Sequence, residues 1–278
     1  MTNHTFTIGG DMPVNRMGFG AMRITGPGIW GPPADKAGAL NVLKTCVNLG
    51  VNFIDTADAY GPEVSENLIA EALYPYPEGL VIATKGGLTR QGPNRWTPKA
   101  DPEYIENALK GSLKRLKLER IDLYQLHRFD PKVPMAETLG KLRELQQAGL
   151  IRHLGLSEVN EKELNESVKH IDVVSVQNRY SLRYRNWESA LKWCEKNNVA
   201  FIPWYPLDAG DLENKVLQTT AQKHKTTVYQ IAIAWLLAHS PVMLPIPGTS
   251  SVSHLQENMA AAELILDEED LRSLEGIG

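Results

Sequence analysis

The sequence contains little cysteine, with only Cys46 and Cys194 among 278 residues. Neither belongs to a CxxC pair or to a group of cysteine and histidine with the spacing of metal ligands. Both lie within amphipathic helical patterns, which predicts buried thiols with a structural role. The chain lacks the cysteine for a disulfide framework, and we expect no bound metal.

A long hydrophobic run and an excess of positive charge are also missing. The longest apolar stretches fall far below the roughly 20 residues that span a bilayer, and the first residues do not resemble a secretion signal. The net charge is -4 and the pI is near 6.0, which argues against a polyanionic partner. We expect a cytoplasmic monomer or small homo-oligomer that acts on a small molecule, with no nucleic acid or membrane partner.

Short β-rich runs alternate with amphipathic helical patterns along the chain. Two extended segments around Gly9, Gly10 and Asp11 come first and predict an N-terminal β-hairpin that plugs one end of a barrel. Eight strands follow, in MGFGAM, VNFIDTA, LVIATK, DLYQLH, RHLGLS, DVVSVQ, VAFIPW and VMLPIP. Helices are predicted after them at 36–48, 64–73, 102–117, 136–148, 161–169, 186–196, 227–238, 251–261 and 267–275.

This order of elements predicts the α/β class and a single domain, residues 1–278, that forms a (β/α)₈ TIM barrel with short C-terminal helices. The strands are apolar at most positions, as parallel strands covered on both faces are. A doubly wound open sheet is the alternative. The first strand and its loop read GFGAMR and lack the third glycine of the dinucleotide fingerprint, so any nucleotide must be held in another way.

Polar residues stand where the apolar strands of the predicted barrel end. Asp55 and Tyr60 follow the second strand, Lys85 ends the third and His127 follows the fourth. Because the carboxyl ends of the strands form the active-site face of such a barrel, these side chains are expected to converge. The irregular insertion at 89–101 is expected to shape the same mouth.

These four side chains have the chemistry to protonate a carbonyl oxygen. An ammonium lowers the pKa of a neighbouring phenol, which suits Lys85 beside Tyr60, and Asp55 would keep Lys85 charged. His127 is expected to donate a hydrogen bond to the carbonyl. Taken singly, an Asp–Lys pair is more often a structural salt bridge, and a histidine after a strand is more often a core residue.

Together these residues match a known pattern in order, spacing and strand position. The sequence resembles the aldo-keto reductase family in GFGAM, DTADAYG, VIATKGG, DLYQLHR, GLSE, VQNRYS and IPGTSSVSHLQEN. The resemblance implies an oxidoreductase that reduces aldehydes or ketones to alcohols by hydride transfer from NADPH. It implies a catalytic tetrad of Asp55, Tyr60, Lys85 and His127, with Tyr60 as general acid. The chain is similar to short bacterial members, including those like pyridoxal reductases.

The resemblance also implies positions for the cofactor and the substrate. Ser157 and Gln177 are expected on the nicotinamide carboxamide, and Trp204 on the ring. The phosphate and adenine end is expected at the last motif, in Gly248, Thr249, Ser250, His254, Glu257 and Asn258. Further cofactor contacts are expected from Gly20, Met22, Asp55, Pro206 and Leu207, and the substrate-binding residues are expected to be Trp30, Tyr60, Trp96 and His127.

Three departures from the family pattern affect the expected cofactor site. Glu158 stands where the family usually has an amide, in GLSE instead of GLSN. Gly248 and His254 align with the lysine and arginine that clamp the 2′-phosphate in the IPKS-type motif, so a weaker preference for NADPH over NADH is expected. Asp208 lies near the expected pyrophosphate and would repel it unless it points away.

Two other functions fit the same features less well. Some relatives in this family are redox-sensing subunits that hold a nucleotide with little turnover, and a membrane-protein partner would favour that reading. An isomerase or lyase on the same barrel would need a base beside a carbonyl and no cofactor, and the fold alone does not decide against it.

Overall fold

The computed structural model describes residues 4–277, so positions 1–3 and 278 of the predicted domain lie outside the described residues. The strands are β1 (Thr5–Ile8), β2 (Met12–Asn15), β3 (Phe19–Gly20), β4 (Phe53–Asp55), β5 (Val81–Gly86), β6 (Leu88–Arg90), β7 (Trp96–Pro98), β8 (Ile121–Leu126), β9 (Ile151–Ser157), β10 (Val173–Gln177) and β11 (Ala200–Phe201). The α-helices are α1 (Lys36–Asn48), α2 (Val64–Leu73), α3 (Pro102–Leu116), α4 (Met135–Gln147), α5 (Glu161–Ser167), α6 (Glu188–Asn197), α7 (Lys215–Lys223), α8 (Val228–His239), α9 (Val252–Ala260) and α10 (Glu268–Glu275).

A curled parallel sheet forms the centre of the molecule, with the order β11-β10-β9-β8-β5-β4-β3. The predicted eighth strand, VMLPIP, forms no regular strand, but its backbone closes the barrel. Leu244 N–H donates to the Phe201 carbonyl at 2.8 Å on one side, and Gly18 N–H donates to the Pro245 carbonyl at 3.0 Å on the other. The fold is a (β/α)₈ barrel, as the sequence predicts.

The N-terminal hairpin pairs β1 with β2 in antiparallel register, from Thr5 opposite Asn15 to Ile8 opposite Met12. Its buried apolar side chains pack against Phe53, Val81 and Leu123, which point into the barrel from its strands. Because these residues lie at the start or in the middle of their strands, the hairpin covers the amino-terminal end of the barrel. The prediction of a plug is confirmed, and the opposite end stays available for a site.

Local signals place most helix starts where the pattern predicts them. Asp101 accepts a hydrogen bond from Tyr104 N–H at the start of α3, with Pro102 as the first helical residue. Capping boxes begin at Asn160, Thr227 and Asp267. Helices such as α4 then bury one apolar stripe, here Leu139, Leu142 and Leu145, whereas α8 buries all residues from Ile231 to Leu236.

Two segments differ from the sequence-based predictions. The insertion at 89–101 contains a β-hairpin, in which β6 pairs with β7 and Arg90 lies opposite Trp96. Helix α7 was not predicted, since its sequence is polar outside the narrow stripe that contains the buried Leu217 and Ala221. Both cysteines are buried as expected, and burial raises the pKa of each thiol.

Candidate active site

A buried ion pair joins two neighbouring strands at the carboxyl end of the barrel. Lys85 Nζ donates to Asp55 Oδ2 at 2.6 Å and to the Thr56 carbonyl at 2.7 Å, and the Lys85 side chain is fully buried. Burial lowers the pKa of Lys85, but Asp55 and Tyr60 raise it by more, so the net direction is upward. Lys85 therefore remains protonated, as the sequence argument requires.

Tyr60 lies at the open side of this ion pair, on the loop between β4 and α2. Lys85 Nζ is 3.4 Å from the Tyr60 hydroxyl and 5.1 Å from the centroid of its ring. The fold brings Tyr60 and Lys85 together because β4 and β5 are hydrogen-bonded neighbours in the sheet. Asp55, Lys85 and Tyr60 thus form a connected chain of polar groups.

The pKa of Tyr60 is raised, contrary to the direction expected from Lys85 alone. Burial is the largest cause, and the Lys85 ammonium lowers the pKa by less than burial raises it. The expectation of an acidified phenol is therefore wrong for this structure, although Lys85 acts in the expected direction. The hydroxyl stays protonated at neutral pH, which is the state that a proton donor needs.

The second oxygen of Asp55 accepts hydrogen bonds from two glutamines on other strands. Gln177 Nε2 donates to Asp55 Oδ1 at 2.8 Å, and Gln125 Nε2 donates to the same oxygen at 3.1 Å. The three side chains that donate to Asp55, those of Lys85, Gln125 and Gln177, are all buried. Asp55 is therefore fixed in place by a complete set of donors, and its carboxylate faces Lys85 without rotating away.

His127 is the fourth candidate catalytic side chain. It directly follows β8, two residues beyond Gln125. Its ring centroid lies 5.9 Å from that of Tyr60, in an edge-to-face arrangement. Burial, followed by the charges of Lys85, Arg128 and Arg90, lowers the pKa of His127 well below its ordinary value. The ring is neutral, and because its buried Nδ1 has no partner in the described chain, the proton is best placed on Nε2.

Arg128 occupies the space beside Ser157 at the end of β9. Its Nη1 donates to the Ser157 hydroxyl at 2.9 Å and to the carbonyl of His127. Gln177, on the adjacent strand, uses its amide nitrogen on Asp55, while its Oε1 has no hydrogen-bond partner within residues 4–277. Ser157 and Gln177 lie side by side in the register of β9 and β10.

Glu158 has a structural partner that the sequence did not reveal. It adopts a left-handed conformation, with φ of 55°, and its Oε1 accepts from the indole Nε1 of Trp204 at 2.6 Å and from Arg179 N–H at 2.7 Å. The carboxylate therefore holds the aromatic ring that was expected beside the nicotinamide. Asp208 accepts from the Ser181 hydroxyl at 2.6 Å and lies 3.8 Å from the Arg179 guanidinium, so its charge is partly compensated.

A second group of candidate residues surrounds the start of α9, where Ser251 accepts from His254 N–H as the helix cap. The backbones of Gly20 and Gly248 lie in close contact. A β-carbon on Gly248 would lie 2.3 Å from the Gly20 carbonyl oxygen, so no side chain fits there without a shift. Thr249 and Asn258 are buried, whereas Ser250 and His254 are exposed. The Glu257 carboxylate already accepts from the Thr227 hydroxyl at 2.6 Å. The remaining residues that were expected to contact the cofactor are Met22, Pro206 and Leu207, of which Pro206 is buried.

Sequence reasoning missed Gln125, although strand alternation could have found it. Gln125 and His127 share one face of β8, since side chains two residues apart point the same way. The role of Glu158 had no such signal, because its partner Trp204 lies 46 positions further along the chain. No cluster of three or more potential metal-binding side chains occurs between residues 4 and 277. Over the same residues, no helix has the length and apolarity to cross a membrane.

A barrel with a buried ion pair at the carboxyl ends of its strands is the arrangement expected for the family that the sequence resembles. Residues 16–278 match the model of the aldo/keto reductase family, and the chain belongs to this family. It is 51% identical to an uncharacterised oxidoreductase of Schizosaccharomyces pombe, over 97% of this chain and 88% of that protein. It is 41% identical to pyridoxine 4-dehydrogenase of Escherichia coli, over 100% of this chain and 99% of that protein.

A solved structure shows the same fold. The aldo-keto reductase from Klebsiella pneumoniae in complex with NADPH is 25% identical and has a TM-score of 0.84, over 100% of this chain and 95% of that chain. The family and the fold are thus shown for this protein, which is an aldo-keto reductase family oxidoreductase.

Proposed function

We propose that this protein reduces the carbonyl group of aldehydes or ketones to an alcohol, with Tyr60 as the proton donor and NADPH as the reductant. The observation that carries the proposal is the buried chain from Asp55 through Lys85 to the Tyr60 hydroxyl, with bond distances of 2.6 and 3.4 Å. A structural salt bridge alone does not account for a phenol at the open end of the pair. Neutral His127 beside that phenol adds a second donor for the same oxygen.

Each residue of the chain has a defined task in this reaction. The Tyr60 hydroxyl donates its proton to the carbonyl oxygen, and the Lys85 ammonium stabilises the phenolate that remains. Asp55 keeps Lys85 charged in a buried setting where an unpaired ammonium would lose its proton. His127 Nε2–H orients the carbonyl oxygen toward Tyr60. When bound, the reduced nicotinamide supplies the hydride for the carbonyl carbon, so that hydride and proton together give the alcohol.

The polar groups at the barrel mouth fit a nicotinamide carboxamide. Such an amide needs both donors and acceptors, and Ser157 offers a hydroxyl while Gln177 offers a free Oε1 next to it. The Trp204 indole, held by Glu158, would cover the ring. The Klebsiella pneumoniae relative is a complex with NADPH, which supports the same cofactor here.

The start of α9 fits the phosphate end of the cofactor less completely. Ser250 and His254 are exposed there, and a β-carbon at position 248 would lie 3.7 Å from Arg23 Cγ, so this arginine runs beside the motif. Asn258 is buried, and Oε1 of Glu257 accepts from the Thr227 hydroxyl; both remain the proposed contacts of the adenine. We propose NADPH as the main cofactor, with NADH also accepted.

A substrate panel tests the proposed function. Purified protein is mixed with NADPH or NADH and with pyridoxal, 4-nitrobenzaldehyde or propanal, and loss of the reduced cofactor's absorbance is followed. Pyridoxal is included because the Escherichia coli relative is a pyridoxine 4-dehydrogenase. Reduction of at least one carbonyl, with stoichiometric alcohol formation, is expected. Binding of NADPH without reduction of any compound would contradict the proposal and favour a nucleotide-sensing role.

A further inference from the structure

Arg90, at the end of β6, uses every N–H group of its guanidinium on backbone carbonyls. Nη1 donates to Ile29 at 2.7 Å and to Ala59 at 2.8 Å, and Nη2 donates to Gly28 at 3.0 Å and to Gly92 at 3.2 Å. Nε donates to the carbonyl of Arg95 at 3.2 Å. An arginine has five such donors, so none is left for a substrate or a carboxylate.

These carbonyls belong to three different segments of the active-site mouth. Gly28 and Ile29 lie in the loop after β3, and Ala59 lies in the loop that carries Tyr60 after β4. Gly92 and Arg95 belong to the turn between β6 and β7. Gly28, Ile29 and Gly92 have positive φ angles of 68°, 55° and 144°. One guanidinium therefore joins three loops whose backbones are turned to meet it.

The same guanidinium lies between two indole rings. Its central carbon is 3.6 Å from the centroid of the Trp96 ring and 5.7 Å from that of Trp30. Among residues 4–277, no Asp or Glu side chain forms an ion pair with Arg90, and its guanidinium contacts backbone carbonyls and aromatic faces instead. At 3.6 Å, the cation covers one face of Trp96 and fixes the plane of its ring.

Trp96 in turn borders the reacting groups. Its ring centroid lies 6.4 Å from that of Tyr60 and 6.3 Å from that of His127, with interplanar angles of 88° and 65°. Trp96, Tyr60 and His127 therefore form one cluster of mutually tilted rings. Since Arg90 covers one face of the indole, a substrate ring that stacks on Trp96 must use the opposite face.

We propose that Arg90 is a positioning residue that fixes Trp96 as an aromatic wall, and that this wall selects carbonyl compounds whose carbonyl is attached to a planar ring. The inference rests on the proposed carbonyl reduction and specifies its substrate class. A planar ring would pack flat on the face of the indole opposite Arg90, with its carbonyl directed toward Tyr60 and His127. A puckered ring of the same size loses that contact.

A matched pair of substrates separates planarity from apolar size. Benzaldehyde and cyclohexanecarbaldehyde carry the same number of ring carbons, and their kcat and KM with NADPH are measured for wild type, Arg90→Met, Arg90→Lys and Arg95→Met. In wild type, kcat/KM is expected to favour benzaldehyde. In Arg90→Met, the preference falls by about tenfold, mostly through KM for benzaldehyde, with kcat changed little. Arg90→Lys does not restore it, because a lysine has no planar fork of five donors.

Two controls show that the effect passes through Trp96. Arg95→Met alters an exposed side chain in the same turn and leaves the preference unchanged. In a Trp96→Leu background, Arg90→Met causes no further loss of preference, since the two side chains act as a unit. NADPH affinity and the thermal midpoint are measured for each variant, so that a loss of folding is recognised as an equal loss for both aldehydes.

The measurements separate a failure of the proposed carbonyl reduction from a failure of the proposed role of Arg90. A wild type that reduces no carbonyl overturns the proposed function and this inference with it. An active wild type whose preference is unchanged by Arg90→Met, or lost equally for both aldehydes, overturns the inference and leaves the proposed function standing. A further loss in the Trp96→Leu background would show that Arg90 acts by another route.

Discussion

The ammonium of Lys85 lies 3.4 Å from the hydroxyl of Tyr60, and both side chains are buried. Burial alone would favour the loss of the Lys85 charge, whereas it favours the neutral form of the Tyr60 phenol. Burial opposes the charge of both the ammonium and the phenolate, and the pair with Asp55 at 2.6 Å settles the balance in favour of a protonated lysine. The arrangement therefore keeps a cation next to a neutral phenol, as the proposed proton transfer from Tyr60 to a carbonyl oxygen requires.

Removing one member of the Asp55–Lys85 ion pair should lower the free energy of unfolding more than removing both members. Lys85→Met leaves Asp55 as a buried carboxylate without a cation, and we expect the free energy of unfolding to fall by about 3–5 kcal/mol. The double variant Asp55→Asn/Lys85→Met should recover much of that loss in thermal melts. Carbonyl reduction should remain at least about 100-fold below wild type in both. Recovery of activity along with stability would show that the pair is structural only.

His127 should act as a neutral ring across the working pH range. Its pKa lies well below the ordinary value, because burial and the charges of Lys85, Arg128 and Arg90 all oppose its protonation. Lowering the pH through about 6.5, the pKa of an ordinary histidine, should therefore not remove activity through this group. The pH profile of kcat/KM should keep its shape in His127→Gln while the rate falls. An acid limb near that pH in wild type that disappears in His127→Gln would contradict the assignment.

Glu158 should support cofactor binding through Trp204. Glu158→Leu removes the acceptor of the indole N–H, which lies 2.6 Å from the carboxylate, and NADPH should bind about tenfold more weakly. Glu158→Gln keeps an oxygen acceptor and loses only the charge, so its dissociation constant should stay within about threefold of wild type. Titration of protein fluorescence with NADPH measures both. Equal weakening in the two variants would point to the negative charge instead of the hydrogen bond.

The discrimination between NADPH and NADH should be modest and should depend on position 254. A β-carbon at position 248 would lie 2.3 Å from the Gly20 carbonyl oxygen, so a lysine at this position would require a backbone shift. His254 is exposed at the start of α9, so His254→Arg should raise the ratio of kcat/KM for the two cofactors by about tenfold. A wild-type ratio above about 1,000, unaffected by this change, would mean that another group clamps the phosphate.

The sequence was sufficient for the alternation of strands and helices in the barrel and for the polar residues at the strand ends, but not for helix α7 or the β6–β7 hairpin. Asp55, Lys85 and His127 could be found because each interrupts an apolar strand at its carboxyl end, where barrel topology brings neighbours together. The net pKa of Tyr60 could not be predicted, since it depends on how deeply the ring is buried. The five carbonyl bonds of Arg90 also escaped prediction, because backbone carbonyls carry no sequence signal.

The proposed role of Tyr60 as proton donor is tested most directly by Tyr60→Phe, which removes one hydroxyl and keeps the ring that packs against Trp96 and His127. Steady-state reduction of the best carbonyl from the panel and NADPH binding are measured on the same preparations. We predict that kcat falls at least about 100-fold, while the dissociation constant for NADPH and the thermal midpoint stay close to wild type. Turnover within a few-fold of wild type in Tyr60→Phe would contradict the account.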